Sequence, residues 1–354
     1  MVKRFLVSLL LLGAIAAGCQ QETEQNEEVE EVAENEEALA EIPIEVLENE
    51  AVVHIDDLVQ ITGGEYSFDE LHRTLQLTID EDQFYMIDEV PVLERNGEYL
   101  ATDDIYLVIN EEDEVYLPIA FIEKGLNTPV TFKEETATFS WFGPAEAVGG
   151  PPESFNFEEW NVDQMVDYLD FLEKPIKGAE VSTIASHLPG VPRTYRNGFH
   201  EGIDWYDHSS GGNIYTDTPI YAMGEGIVVR ADHDFVEYPS PEVRNQDLAL
   251  TSQLGETPEY IFDRLRGRQV WVQYPNGVMN RFAHLYDIPE DIQVGSRVNA
   301  ESIIGYVGNS GTSGAVNQDL TELHLHQDLL IYGELFWKPL NQEEVKEVLQ
   351  RIWD

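Results

Sequence analysis

The sequence offers no disulfide framework, because its 354 residues include one cysteine, Cys19. A single thiol cannot form an internal disulfide bond, which excludes the class of small exported domains held together by such bonds. Hydrophobic residues make up 42% of the chain and aromatic residues 10%. The chain is therefore long and apolar enough for two ordinary domains and their connecting segments.

Basic residues are also scarce. The chain has 20 Lys and Arg against 68 Asp and Glu, which gives a formal net charge of -48. Such a surface repels phosphate backbones, so nucleic-acid binding is excluded. The acidity suits solubility in a salty or alkaline exterior, or an acidic tether, and says little about activity.

The apolar run near the N-terminus is too short for a comfortable membrane-spanning helix. It extends from Phe5 to Ala17 behind Lys3 and Arg4, which is typical of an export signal. The run ends in Ala16-Ala17-Gly18-Cys19 and resembles the lipobox of bacterial lipoproteins, although the family usually has Leu where Ala16 stands. The resemblance implies a signal peptide over 1–19, lipid attachment at Cys19 and an extracytoplasmic protein anchored to the cell membrane. A plain cleaved signal that contains a cysteine is the alternative.

Residues 20–50 are dominated by Glu, with Gln, Asn and Ala. Like charges at this density repel one another and leave little apolar area to bury. We therefore predict an acidic disordered tether.

Residues 51–142 show a weak internal repeat of strand, short helix and two-stranded hairpin, starting near Val53 and again near Val115. This stretch resembles the copper amine oxidase N-terminal-like domain. Its two histidines, His54 and His72, have no suitable neighbours in the sequence, so no copper site is expected. The resemblance implies a non-catalytic module, either a spacer or a wall-binding element.

Residues 143–196 are predicted to be a linker, marked by Gly149-Gly150-Pro151-Pro152, followed by an amphipathic helix. The apolar spacing between Phe155 and Leu172 predicts that helix. It is expected to pack against one of the domains, and partner binding is the alternative.

The C-terminal third contains three short histidine motifs: Phe199-His200-Glu201-Gly202-Ile203-Asp204, Arg281-Phe282-Ala283-His284-Leu285 and Leu323-His324-Leu325-His326. Each motif alone is a weak signal, since H-x-x-x-D and H-x-H often occur by chance. Together they hold four of the nine histidines, in strand-rich surroundings. This concentration is a much stronger indication of a site.

These residue types fit a catalytic zinc site, which takes three His or carboxylate ligands and leaves a fourth position open. Residues two apart in a strand point to the same face, so His324 and His326 can face one cleft. If His326 binds metal, His324 can reach a water or a carbonyl beside it. His284 can approach from a neighbouring strand.

The stretch from about Asn197 to Leu340 resembles the M23 peptidase family, also called the lysostaphin or LytM-type domain, whose members cleave peptidoglycan peptides. The resemblance implies a mainly β (α+β) fold with an antiparallel groove, within a peptidase domain over 197–342 and before a C-terminal helix over 343–354. It implies one Zn²⁺ held by His200, Asp204 and His326. It also implies that His284 and His324 assist catalysis, with the roles of base and stabiliser left open.

The sequence departs from the family pattern in three places. Insertions at 232–268 and 316–322 are expected to form walls of the groove. Gln327-Asp328 stands where Phe-Glu is usual, and Asp328 is expected to orient a metal ligand.

The predicted function is therefore a zinc metalloendopeptidase acting on peptidoglycan peptides. A catalytically silent LytM-type scaffold, or an activator of another wall hydrolase, is the first alternative. The second is that the N-terminal module is the main working part and binds wall polymer or a protein partner. The sequence leaves open which bond is cut.

Overall fold

The computed structural model describes residues 39–47, 49–133, 135–141, 148–196 and 198–353. The predicted signal peptide, Cys19 and most of the predicted tether lie outside these residues. Within these ranges, no helix combines the length and the hydropathy needed to cross a membrane. The prediction of a mainly β fold is confirmed, because the elements are mostly strands with few helices.

The N-terminal module consists of three antiparallel sheets and two short helices. Its sheets have the strand orders β1-β12-β11, β2-β3-β10-β9 and β4-β5-β6-β7-β8. The strands are β1 (Leu39–Pro43), β2 (Glu45–Leu47), β3 (Glu50–His54), β4 (Glu65–Asp69), β5 (Thr74–Ile79), β6 (Asp82–Ile87), β7 (Glu94–Arg95), β8 (Glu98–Tyr99), β9 (Val108–Ile109), β10 (Val115–Pro118), β11 (Val130–Lys133) and β12 (Thr136–Ser140). The helices are α1 (Ile55–Thr62) and a π-helix at Phe121–Gly125.

The module starts earlier than the predicted boundary at residue 51. Strands β1 and β2 lie inside the segment 20–50 that the Glu-rich composition predicts to be disordered. Ile42 explains the difference, because it is fully buried in the module core while β1 pairs with β12. The order of strand, helix and hairpin occurs at β3 to β5 and again at β10 to β12, and β3 pairs with β10.

His54 caps a helix in this module. Its Nδ1 accepts a hydrogen bond from the backbone N–H of Asp56 at 3.2 Å, where α1 begins. Acidic residues in the first turn favour this helix start through the helix dipole. The helix ends at Gly63, whose φ of 74° is the left-handed conformation that glycine adopts readily.

The C-terminal domain is built on a seven-stranded antiparallel sheet with the order β15-β23-β19-β18-β17-β21, in which β24 also pairs with β23. Two smaller sheets, β16-β22-β20 and β13-β14, complete it. The strands are β13 (Pro192–Arg193), β14 (Gly198–Phe199), β15 (Ile203–Trp205), β16 (Pro219–Tyr221), β17 (Gly226–Ala231), β18 (Val270–Gln273), β19 (Val278–Ala283), β20 (Leu285–Asp287), β21 (Arg297–Val298), β22 (Ile303–Val307), β23 (Leu325–Ile331) and β24 (Glu334–Leu335).

Six α-helices flank this sheet: α2 (Val162–Leu169), α3 (Asp207–Ser210), α4 (Pro241–Leu254), α5 (Glu259–Arg266), α6 (Ser313–Val316) and α7 (Gln342–Trp353). The predicted helix between Phe155 and Leu172 is a short 3₁₀ turn followed by α2. The buried faces of α2 and α7 share one core with the sheet, and Trp353 Nε1 donates to the carbonyl of Leu172 at 3.0 Å. The segment between the domains therefore packs onto the C-terminal domain.

The N-terminal module and the large sheet share a buried apolar cluster. Ile87, Val90 and Val92 of the module lie in one cluster with Met279 and Leu330 of the sheet. An interface made of buried side chains from both sides fixes the module on the sheet.

We predict that the buried ion pair of Arg95 and Asp82 is needed for stability. Arg95 Nη2 lies 2.5 Å from Asp82 Oδ2, and both residues are buried. Burial would raise the pKa of Asp82, but hydrogen bonds from Arg95, Val148 and Asn96 lower it. An Arg95→Met variant would leave the carboxylate without a cationic partner and lower the free energy of unfolding by about 3 kcal/mol.

The matched control is Lys124→Met, because Lys124 pairs with Asp104 at an exposed site. Its expected cost in urea denaturation at pH 7 is below about 1 kcal/mol. Since the folded pKa of Asp82 is lowered, its contribution is present above its unfolded pKa of about 3.9 and disappears as the pH falls. Equal losses in the two variants would contradict the prediction.

Candidate metal centre

The candidate centre is built on β23, which lies between β15 and β19 in the large sheet. In the antiparallel register, Asp204 of β15 and Ala283 of β19 both pair with His326. His284 follows Ala283 directly, and His324 lies two residues before His326. Strand pairing therefore brings four of the five predicted site residues to one place.

The three predicted metal ligands meet in the interior. His200 Nε2 lies 3.0 Å from Asp204 Oδ1 and 3.3 Å from His326 Nδ1, and His326 Nδ1 lies 2.8 Å from Asp204 Oδ1. All three residues are buried. Ligand atoms about 2.0–2.2 Å from a tetrahedral zinc would stand about 3.3 Å apart, so a metal ion fits with small adjustments.

The outward-facing nitrogens of both ligand histidines have hydrogen-bond acceptors. His200 Nδ1 lies 3.0 Å from the carbonyl oxygen of Leu188, and His326 Nε2 lies 2.7 Å from Asp328 Oδ1. When each ring is neutral, these partners hold the proton on the outward nitrogen. The inward lone pairs of His200 and His326 then converge with an oxygen of Asp204, an arrangement that suits a divalent cation.

The electrostatics of the centre favour positive charge. Burial would raise the pKa of Asp204, but His200 and His324, together with hydrogen bonds from His200 and His326, hold it well below its ordinary value. Burial would lower the pKa of His326, but Asp328 and Asp204 raise it to about 9. The carboxylates therefore stabilise either a proton on His326 or a metal ion that takes its place.

His284 and His324 lie beside these ligands, with their ring centroids 4.7 Å apart. His284 Nδ1 lies 2.8 Å from the carbonyl oxygen of Ser310, and His324 Nδ1 lies 2.7 Å from that of Glu322. Burial is the largest cause that lowers the pKa of His324, and the neighbouring imidazoles lower it too. The same causes lower the pKa of His284 to a greater extent. Both rings are therefore neutral at neutral pH, with Nε2 free to accept a proton.

The backbone of His284 is held in the left-handed region, with a φ of 61°. Non-glycine residues adopt this conformation infrequently, and it persists where the surroundings enforce it. Here the N–H of His284 donates to the carbonyl of Arg266 at 2.8 Å, and the N–H of Leu285 donates to that of Arg268 at 3.0 Å. The end of the inserted segment 232–268 therefore fixes the turn that carries His284.

Asp328 forms an ion pair with the same insertion. Arg266 Nε donates to Asp328 Oδ2 at 2.9 Å, and Asp328 is fully buried. The charges of Arg266 and His326 outweigh burial and hold the pKa of Asp328 well below its ordinary value. Asp328 contacts His326, as the sequence led us to expect, but the role of Arg266 was missed.

Gly202, inside the first motif, is required by close packing. A Cβ at this position would lie 2.3 Å from the carbonyl oxygen of Gln327 and 2.7 Å from Asp328 Oδ1. Any side chain would push the turn between His200 and Asp204 away from β23. The glycine therefore lets two of the ligands approach the third.

The five predicted residues line a cavity of about 510 Å³. Its walls include both inserted segments, through Arg244 and Leu248 of α4, Phe262 of α5 and Glu322 before β23. Within the insertion 232–268, α5 has an amphipathic apolar pattern, whereas that of α4 is too weak to predict a helix.

Two further residues of the cavity were missed in the sequence. Tyr206 stacks on His324, with centroids 4.3 Å apart and planes 10° apart. Arg193 Nη2 lies 3.4 Å from Asp204 Oδ2. Tyr206 stands two residues after Asp204, so it was within reach of a sequence argument, whereas Arg193 had no local signal.

Comparisons with known proteins give similar structures only. No family model matches the chain, and no curated protein matches it. LytU is 21% identical, with 48% of this chain and 80% of that chain covered and a TM-score of 0.27. Csd3 from Helicobacter pylori is 13% identical, with 78% of this chain and 46% of that chain covered and a TM-score of 0.28.

The catalytic domain of the antimicrobial peptidase lysostaphin from Staphylococcus simulans is 18% identical, with 52% of this chain and 92% of that chain covered and a TM-score of 0.25. The chain thus spans less than half the length of Csd3. Identities and TM-scores this low establish neither the family nor the activity. The function has to be argued from the site.

We predict that Asp328→Asn weakens zinc binding by about 10–100-fold, because it loosens the hydrogen bond that orients His326. The measurement is zinc affinity of the metal-free protein by competition with a chelator. Asp287→Asn is the matched control, since Asp287 is exposed on β20. Unchanged affinity in a folded Asp328→Asn protein would show that Asp328 does not support the ligand.

Proposed function

We propose that this protein is a zinc-dependent endopeptidase that hydrolyses peptide bonds of bacterial peptidoglycan. The observation that carries the proposal is the convergence of two histidine lone pairs and one carboxylate oxygen, all within 3.3 Å of one another, beside two further imidazoles. The motif resemblance over 197–340 supports the choice of peptidoglycan as substrate.

In this proposal His200, Asp204 and His326 hold the ion. Zinc, when bound, supplies a Lewis acid that polarises a carbonyl oxygen and lowers the pKa of a water. The cavity that these three residues line leaves space for a substrate beside them.

His284 and His324 handle the protons. Each keeps Nε2 unprotonated because its Nδ1 faces a backbone carbonyl. One ring takes a proton from the attacking water and passes it to the leaving amine. The other ring takes up a proton from solvent at Nε2 as negative charge develops on the carbonyl oxygen, because a nearby anion raises the pKa of an imidazole, and it then donates to that oxygen. The two rings share these features, so their roles stay open.

Tyr206 and Ser310 keep the proton-handling rings in place. The ring of Tyr206 covers one face of His324, and the carbonyl of Ser310 orients His284. Rings held in this way need little reorganisation when charge develops, which is the condition for efficient general acid–base catalysis.

Digestion of purified peptidoglycan, followed by mass spectrometry of the products, tests the proposal. We expect His326→Ala to lose both zinc and activity. We expect His284→Ala and His324→Ala to keep zinc but to lose activity by about 10²–10⁴-fold. His54→Ala is the control, because His54 lies in the N-terminal module and contacts Asp56 and Tyr116, which do not line the cavity.

Equal release of peptides by wild type and His326→Ala would overturn the proposal. A wild type that binds zinc and wall but releases nothing would favour the silent scaffold instead.

The same proposal places the protein outside the cell, anchored by lipid at Cys19. The apolar run behind Lys3 and Arg4 and the cysteine at its end support this placement. We expect Cys19→Ala to move the protein out of the membrane fraction and to abolish labelling by radioactive palmitate in the producing bacterium. Continued labelling of the variant would contradict lipid attachment at this residue.

A further inference from the structure

A second cavity, of about 420 Å³, lies between the N-terminal module and the C-terminal domain. Tyr85, Glu94 and Tyr99 line it from the module, and Arg281 and Leu330 line it from the large sheet. This volume is within the range of about 300–1,000 Å³ of small-ligand sites.

The cavity adjoins the candidate metal centre. Four residues line both cavities: Arg196, Glu201, Phe262 and Arg266. Both also lie on one face of the sheet, because Ala283 pairs with His326 and Arg281 pairs with Asp328. Two residues along a strand correspond to about 7 Å, so a peptide extended from the metal centre can reach Arg281.

Arg281 differs from the other buried arginines. Five arginines are buried in the described ranges, and four have a carboxylate within 3.0 Å: Arg95 with Asp82, Arg196 with Glu201, Arg230 with Asp263 and Arg266 with Asp328. Arg281, with 9% of its surface exposed, forms no ion pair within these ranges, and its Nε has no hydrogen-bond partner there. Burying a guanidinium without a contacting carboxylate costs free energy of solvation. A carboxylate of a bound ligand would offset this cost.

The side chains in direct contact with this guanidinium are neutral, whereas the carboxylates of Asp328, Glu259 and Glu94 act on it from farther away. Arg281 Nη2 donates to the hydroxyl of Tyr99 at 3.1 Å, and its Cζ lies 4.5 Å from the centre of the Trp271 ring. Tyr99 is itself fixed, because its N–H donates to Gln273 Oε1 at 3.0 Å and its ring meets Trp271 edge-on. The module therefore positions a hydroxyl, which also hydrogen-bonds Glu94, beside a guanidinium that contacts no carboxylate directly.

We propose that this cavity binds a free carboxylate of a peptide, with Arg281 as the ion-pairing group and the Tyr99 hydroxyl beside it. The proposal rests on the proposed function, because it treats the cavity as a continuation of the substrate groove. Glu94 and Glu259 line the same cavity and act on Arg281 from beyond ion-pair distance, so a polyanion is disfavoured and a ligand with a single carboxylate fits best beside the guanidinium. The N-terminal module is then one wall of the substrate site.

Binding to a matched pair of probes tests the proposal. The probes are N-acetyl-D-alanyl-D-alanine with a free carboxylate and the same compound as its carboxamide, titrated into the zinc-loaded full chain by calorimetry. We expect the wild type to bind the acid at least about tenfold more tightly than the amide. Arg281→Met should bring this ratio close to one, and Tyr99→Phe should reduce it.

Arg297→Met is the matched control, because Arg297 is exposed on β21 and lines neither cavity. It should keep the wild-type ratio. Tyr99→Phe removes a single hydroxyl and keeps the proposal testable if Arg281→Met does not fold. The absence of an acid preference in the wild type, or an unchanged preference in both variants, would overturn the proposal.

Peptidoglycan digestion by the same proteins separates this inference from the proposed function. If the wild type digests peptidoglycan and both variants keep the wild-type preference for the acid over the amide, the proposed peptidase activity is supported and the carboxylate site is not. A preference that depends on Arg281, in a protein that digests nothing, would support the carboxylate site and count against the peptidase.

Discussion

The antiparallel register of β23 with its two neighbours is the constraint on which the site depends. It places Asp204 and Ala283 opposite His326. A slip of one residue would turn His326 to the other face, where Gln327 now accepts a hydrogen bond from Trp205 Nε1 at 2.9 Å. Buried residues on both faces of the strand therefore fix the register, and the fixed register sets the positions of the candidate ligands Asp204 and His326.

The inserted segment 232–268 acts as a support for the site as well as a wall. Arg266 neutralises Asp328, and its carbonyl accepts the N–H of His284, so one residue stabilises a ligand and a neighbouring histidine. In the described part of the chain, five arginines are buried and no lysine is. This is a large share of a chain that has only 20 basic residues. Arginine suits these positions because its planar guanidinium pairs with carboxylates and stacks on aromatic rings.

Local sequence patterns predicted those site residues that lie within a few positions of one another in the chain. His200 and Asp204 lie on one turn, and His324 and His326 lie two residues apart, so these groups could be recognised before their surroundings were known. The contacts of Arg266 with Asp328 and of Arg281 with Tyr99 join residues 62 and 182 positions apart, and no local pattern encodes such pairs. Strand β1 was missed for the same reason, since Ile42 is buried by residues near position 139 that close a long loop.

The N-terminal module packs directly against the C-terminal domain, so the two domains are not independent of each other. The sequence pattern predicts that the module and the C-terminal domain are separate units. If the module were only a tethered spacer, the two would not need to share a hydrophobic core. Yet Ile87, Val90 and Val92 are buried together with Met279 and Leu330 of the large sheet. Because burying this apolar surface is favourable, the docked arrangement is the stable one. The module thereby covers the part of the sheet face that carries Arg281 and Leu330, next to the part that carries His326.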